Sequence, residues 1–218
     1  MYARGNYDRD SLTKDLGKVF LNADVSFKPW PSCAGTHPYI GATLQLADRY
    51  DISPGDVEEI KFFLYSPNTM LCEPLESKRK PVKAIDAKFS IPFTIGTALV
   101  HRKVTLDHFT PEALRDNDVL EVTRKITYEA KPISRDDYAS PKGLLQIKTR
   151  QEKIDSEEIE FLYGHPKNPI SREALVAKFM DCAAYSARKI PDKDLNRIVE
   201  LISHLEDVKD VGEIMKYL

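Results

Sequence analysis

Cysteine is scarce in this 218-residue chain, and the three present, Cys33, Cys72 and Cys182, are odd in number and far apart. That excludes a disulfide framework and leads us to expect reduced thiols in a cytoplasmic setting. The scatter leaves no Cys-x-x-Cys pair, and the five histidines form no His-x-x-x-His pair. No zinc site and no tightly spaced iron–sulfur site is therefore expected. A G-x-G-x-x-G turn and a Walker loop are also lacking, so no nucleotide cofactor is expected. Charge of one sign is missing as well. With 32 Lys+Arg against 34 Asp+Glu, the formal net charge is -2, too small for a field that draws nucleic acid or a membrane surface. No apolar run approaches bilayer length, and Met1-Tyr2-Ala3-Arg4 does not start like a signal peptide.

What is there reads as an α+β protein. Hydrophobic residues make up 42% and charged residues 30%, ordinary for a globular core in one or two domains. Leu12, Leu16, Val19 and Phe20 predict a helix over 10–20, and Ile40, Leu44 and Ala47 predict one over 37–50. A nearly all-round apolar helix is expected over 85–100, interrupted by Pro92. A further helix is expected from Thr110, with Pro111 in its first turn. Alternation predicts strands over 57–65, 125–130, 143–150 and 157–163, a roughly four-stranded sheet. Residues 66–83 and 131–141 read as loops. From Ser171 onward only helical stripes remain: Leu175/Val176/Phe179/Ala183, Leu195/Ile198/Val199/Ile202/Leu205 and Val211/Ile214/Met215/Leu218. Two regions follow, an α+β unit over 1–163 and a helical segment over 164–218.

One segment carries more chemistry than the rest. In Lys28-Pro29-Trp30-Pro31-Ser32-Cys33-Ala34-Gly35-Thr36-His37-Pro38, two prolines hold the chain extended up to about Gly35. Thr36 is placed to cap the helix that follows, and Pro38 suits its first turn. His37 then lies at a helix N-terminus, where the dipole favours anions and disfavours imidazolium. A lysine and a neutral histidine there suit a carboxylate ligand.

This segment resembles a signature of the MmgE/PrpD family, which includes 2-methylcitrate dehydratases and cis-aconitate decarboxylases. Asp86-Ala87-Lys88-Phe89-Ser90-Ile91-Pro92-Phe93 resembles a second family stretch. Gly164-His165-Pro166-Lys167-Asn168-Pro169, leading into Ser171-Arg172-Glu173, resembles a third. The likeness runs from about Tyr2 to Leu205. It implies the second half of a family chain: an α+β lid and the helices that return to complete a helical domain whose N-terminal portion lies elsewhere.

The resemblance further implies a cofactor-independent lyase, 2-methylcitrate dehydratase-like and acting in propionate metabolism, on small polycarboxylates. Such chemistry removes a carbon-bound proton next to a carboxylate and holds the resulting charge. Lys28 corresponds to a lysine lining the cleft and is assigned carboxylate binding. His37 is assigned either proton transfer or a structural role at the start of the helix. Cys33 stands where some relatives carry histidine. Cys33, Ser90 and Lys88 are assigned to substrate contact, with bonding to the preceding helical turn as the other role for Ser90. Phe93 replaces a tyrosine common in relatives. The cluster Lys78, Arg79, Lys80, Lys83 and Lys88 is either a solvated loop or a positive rim that steers substrate. Expected partners are a polycarboxylate and either a second copy of the chain or a separate N-terminal helical half. The alternative is a non-catalytic binding subunit with the same pairing.

Overall fold

The computed structural model describes residues 8–65, 69–132, 142–151 and 154–218. It has the expected α+β architecture. Strands β1 (Val57–Leu64), β2 (Ile126–Ala130), β3 (Gly143–Thr149) and β4 (Ile154–Ile159) form one mixed sheet in the order β2-β1-β3-β4. β1 runs parallel to β2 and antiparallel to β3, which pairs antiparallel with β4. Alternation divides the sheet's faces. Ile60, Phe62, Leu145, Ile147 and Ile126 are fully buried on one side. On the other, Lys61 pairs with Glu129 at 2.7 Å, as suits a sheet with one solvated face.

Helices cover the apolar face. α1 (His37–Tyr50) crosses β3 and β4 and carries buried Tyr39, Ala42 and Leu46. The Tyr39 hydroxyl donates to the Phe63 carbonyl at 2.9 Å, satisfying its one buried polar atom. The parallel β1–β2 pair requires a long crossover. That crossover contains α2 (Leu75–Arg79), α3 (Ala84–Lys88), α4 (Ile91–His101) and α5 (Asn117–Arg124). α4 lies against α1 on one side and α5 on the other.

The structure corrects several expectations, each for a physical reason. No helix spans 10–20: a 3₁₀ turn covers Asp10–Leu12, and Asp15 (φ 59°) and Gly17 (φ 76°) are left-handed, which breaks helical continuation. Leu12, Leu16, Val19 and Phe20 are exposed. Within 66–83, residues from Thr69 onward include a 3₁₀ turn and α2. Lys78 and Arg79 anchor this stretch by donating to the carbonyls of Phe89 (2.8 Å) and Ile126 (3.2 Å). Pro92 does not interrupt a helix; it lies in the first turn of α4, and the break falls at Phe89–Ser90. The expected loop over 131–141 lies outside the described residues from 133.

Thr110 caps only a turn, accepting from the Ala113 N–H at 3.2 Å, and the true helix begins at Asn117. Asp116 caps it, accepting from the N–H groups of Asp118 (2.9 Å) and Val119 (3.3 Å), while its second oxygen meets His101 Nε2 at 3.0 Å. Replacing Asp116 by Ala is expected to cost about 1 kcal/mol, the usual worth of such a cap, read as a lowered urea midpoint at unchanged slope. β4 also starts earlier than expected and ends at Ile159. Its register pairs Ile159 with Gly143, the first residue of β3; the positions that would face Phe161 and Tyr163 lie outside the described residues.

The C-terminal stripes form α6 (Arg172–Ala183), α7 (Asp192–Ser203) and a 3₁₀ stretch over Val211–Tyr217. Leu195, Ile198 and Leu201 are buried between them, whereas Ile202, Leu205, Val211, Met215 and Leu218 are exposed. Among the described residues, no helix is long and apolar enough to cross a membrane.

Candidate functional site

The proline-rich segment is fixed at both ends. At its start, the Phe27 N–H donates to the Gly164 carbonyl at 2.9 Å. Gly164 has φ +97°, and a Cβ there would lie 2.3 Å from the Phe27 carbonyl oxygen, so only glycine permits this approach. At its end, the Cys33 N–H donates to the Lys88 carbonyl at 2.9 Å, tying the segment to the end of α3. The chain then makes one 3₁₀ turn and enters α1 at His37, with Pro38 in the first turn as expected.

Thr36 stands at the N-cap position of α1, but its side chain makes no capping bond there. Its hydroxyl donates to the Cys33 carbonyl at 2.8 Å. With that proton committed, Ser32 Oγ must donate in the 2.7 Å contact between the two hydroxyls. Both side chains are thus consumed in holding the turn that presents His37.

His37 is only 2% exposed. Burial pushes its pKa down to about 4, and the Lys28 ammonium lowers it further; the Ser32 and Trp30 backbone works the other way, and Lys178 adds a small depression. The imidazole is therefore neutral at physiological pH. Its Nε2 is buried and has no hydrogen-bond partner among the described residues. Trp30 stands edge-on to it, ring centroids 5.3 Å apart, and also leans on Tyr163 at 6.2 Å.

The structure brings Lys28 and His37 together. Lys28 is exposed, and its Nζ reaches the Ser32 carbonyl at 3.4 Å. Cys33 belongs to the same segment but is half-buried against the core beneath α1. Lys88 touches the segment only through its backbone, and its ammonium lies over the Phe109 ring, 5.6 Å from the centroid. Ser90 is fully buried as the cap of α4: its hydroxyl accepts from the Phe93 N–H at 3.0 Å and donates to the Lys78 carbonyl at 2.6 Å. Phe93 is core, against Phe109. The cationic cluster divides, since Lys78 and Arg79 hold backbone carbonyls and Lys88 covers an aromatic ring. Lys80 and Lys83 stay exposed.

One residue escaped sequence reasoning. Lys178, on α6, donates to the Lys28 carbonyl across 150 positions of chain and adds a second ammonium near His37. It lies beside the apolar stripe of its helix, and nothing local distinguishes it from a solvated lysine. Among the described residues no cluster of His, Cys, Asp or Glu could hold a metal ion.

With that geometry placed, comparison with known proteins decides the family. The MmgE/PrpD C-terminal domain matches residues 30–204. The chain belongs to the MmgE/PrpD family. Within it, the chain is 24% identical over 228 residues to the cis-aconitate decarboxylase-like protein oryM of Aspergillus oryzae (strain ATCC 42149 / RIB 40), covering 99% of this chain and 46% of that protein. It is 20% identical over 220 residues to the cis-aconitate decarboxylase of Mus musculus, covering 98% and 43%. The chain thus spans about half the length of the curated MmgE/PrpD relatives it matches.

Proposed function

We propose that this chain supplies the C-terminal, lid-containing part of a lyase acting on small polycarboxylates, with dehydration of a 2-methylcitrate-like acid as its reaction. The observation that carries this reading is a neutral His37 flanked by the ammonium groups of Lys28 and Lys178 on the segment that bears the family motif. In this reading Lys28 binds a substrate carboxylate and His37 Nε2 takes the carbon-bound proton beside it. The electron pair spreads into that carboxylate, where the cations hold it. The neighbouring hydroxyl then leaves as water, carrying the proton returned by the imidazolium. Trp30 must swing off the imidazole for substrate to reach Nε2. The names of the two relatives favour a second reaction at the same site, decarboxylation of cis-aconitate.

The partner in this reading is a polypeptide equivalent to the N-terminal half of the longer relatives, or a second copy of the chain. The exposed apolar side chains of the C-terminal segment support such pairing. Turnover of both acids, followed by absorbance, should appear when the chain is combined with that N-terminal half and be nearly absent from the chain alone. Lys28→Ala is expected to lower citrate affinity about tenfold, the worth of one charge-assisted contact, with an unchanged thermal melt. Equal affinity and turnover in the parent, Lys28→Ala and His37→Gln would overturn the assignment. A well-folded pair inactive on both acids would favour the non-catalytic binding subunit.

A further inference from the structure

A groove of about 350 Å³ runs alongside the candidate site, between the proline-rich segment, residues 103–106 and α6. Its volume lies at the lower end of the ~300–1,000 Å³ range of ligand pockets. Trp30 and Tyr163 line one part, Val104 and Leu106 another, and the short side chains of Ala174 and Ala177 leave the slot open on the helix side. Two of its residues connect it to the site. Trp30 leans on His37 as well as Tyr163, and Lys178 both lines the groove and bonds to the Lys28 carbonyl. Lys103 adds a second cation to the wall; Asp181, three residues beyond Lys178, is the one carboxylate there. A small triacid such as 2-methylcitrate offers only a methyl group and a methylene, too little apolar surface to cover these walls.

We propose that the groove receives an apolar arm of the substrate, so that the preferred ligand is a dicarboxylate or tricarboxylate bearing an alkyl chain several carbons long. The inference rests on the carboxylate-binding role of Lys28 proposed above. The acid group stays at Lys28 and Lys178, and the chain runs past Trp30 towards Ala174 and Ala177. Burying a methylene is worth a factor of about four in affinity, so discrimination among homologous acids is steep until the groove is full.

The chain's single tryptophan is Trp30, in the groove wall, so its fluorescence reports occupancy directly. We would titrate the 218-residue chain with succinate, 2-butylsuccinate and 2-octylsuccinate. Affinity is expected to rise about fourfold per methylene over the first few carbons and then level off. Ala177→Leu narrows the slot at an exposed position, and it should flatten that rise. Lys28→Ala should lower all three affinities by a common factor. Succinate binding without chain-length dependence, or a rise that survives in Ala177→Leu, overturns the groove assignment and leaves the carboxylate site standing. Absence of binding by all three acids overturns both.

Discussion

Lowering the pH from 7 to 4 is expected to remove about 3 kcal/mol of folding stability through His37 alone. The group is buried and neutral in the folded protein, with its pKa pushed down to about 4, while in the unfolded chain it titrates near 6.5. The unfolded state therefore binds more protons between those values, and stability falls as pH falls through the window, by about 1.4 kcal/mol per unit. Above 6.5 the contribution is complete; below 4 this group changes nothing further. His108, also lowered by burial and by neighbouring His101, acts in the same direction, so the informative quantity is a difference. Urea unfolding of the parent and of His37→Gln at pH 7, 6, 5 and 4 should give stabilities that converge as the solution is acidified. Parallel pH profiles would show that His37 is not buried as a neutral group.

The second large effect is expected at Gly164. An alanine there must adopt φ near +97° and place its Cβ 2.3 Å from a backbone oxygen of Phe27. Backbone strain of about 1–3 kcal/mol adds to overpacking of similar size, so Gly164→Ala should lose about 3 kcal/mol or more. The opposed atom is main chain, and relief comes only by breaking the Phe27–Gly164 hydrogen bond that anchors the segment before Lys28. Citrate affinity should therefore fall with stability. Gly55→Ala is the control: its added Cβ meets nothing within 4 Å, and a change within about 0.5 kcal/mol is expected there. Equal denaturation midpoints for the two variants would remove Gly164 from its anchoring role.

These effects arise where distant parts of the chain meet, which marks the boundary of what was legible in the sequence. Local rules were enough for the helix over 37–50, because the spacing of its apolar residues and Pro38 in its first turn agree with the tertiary packing. They were enough for the extents of β1 to β3, and in β3 burial alternates with period 2 between one buried and one wet face. The kinship of the segment around Lys28 was legible too, as was the neutrality of His37, although its cause is burial first and the Lys28 ammonium second.

The rest was decided by tertiary structure. β4 runs from Ile154 opposite Lys148 to Ile159 opposite Gly143, a register set by pairing with β3 and not by its own residues. The amphipathic pattern over 10–20 yielded no helix, because two left-handed residues interrupt it and its apolar residues find no core. Ser90 became the cap of α4, bonded to the Lys78 carbonyl, and Lys78 and Arg79, which read as exposed, became backbone anchors, because carbonyls from other elements came within reach. Lys178 joined Lys28 only because α6 folds back across the proline-rich segment. Sequence determined the motif that carries Lys28 and His37; long-range packing decided which side chains stand beside them, Lys178 among them, and which are consumed in holding the fold.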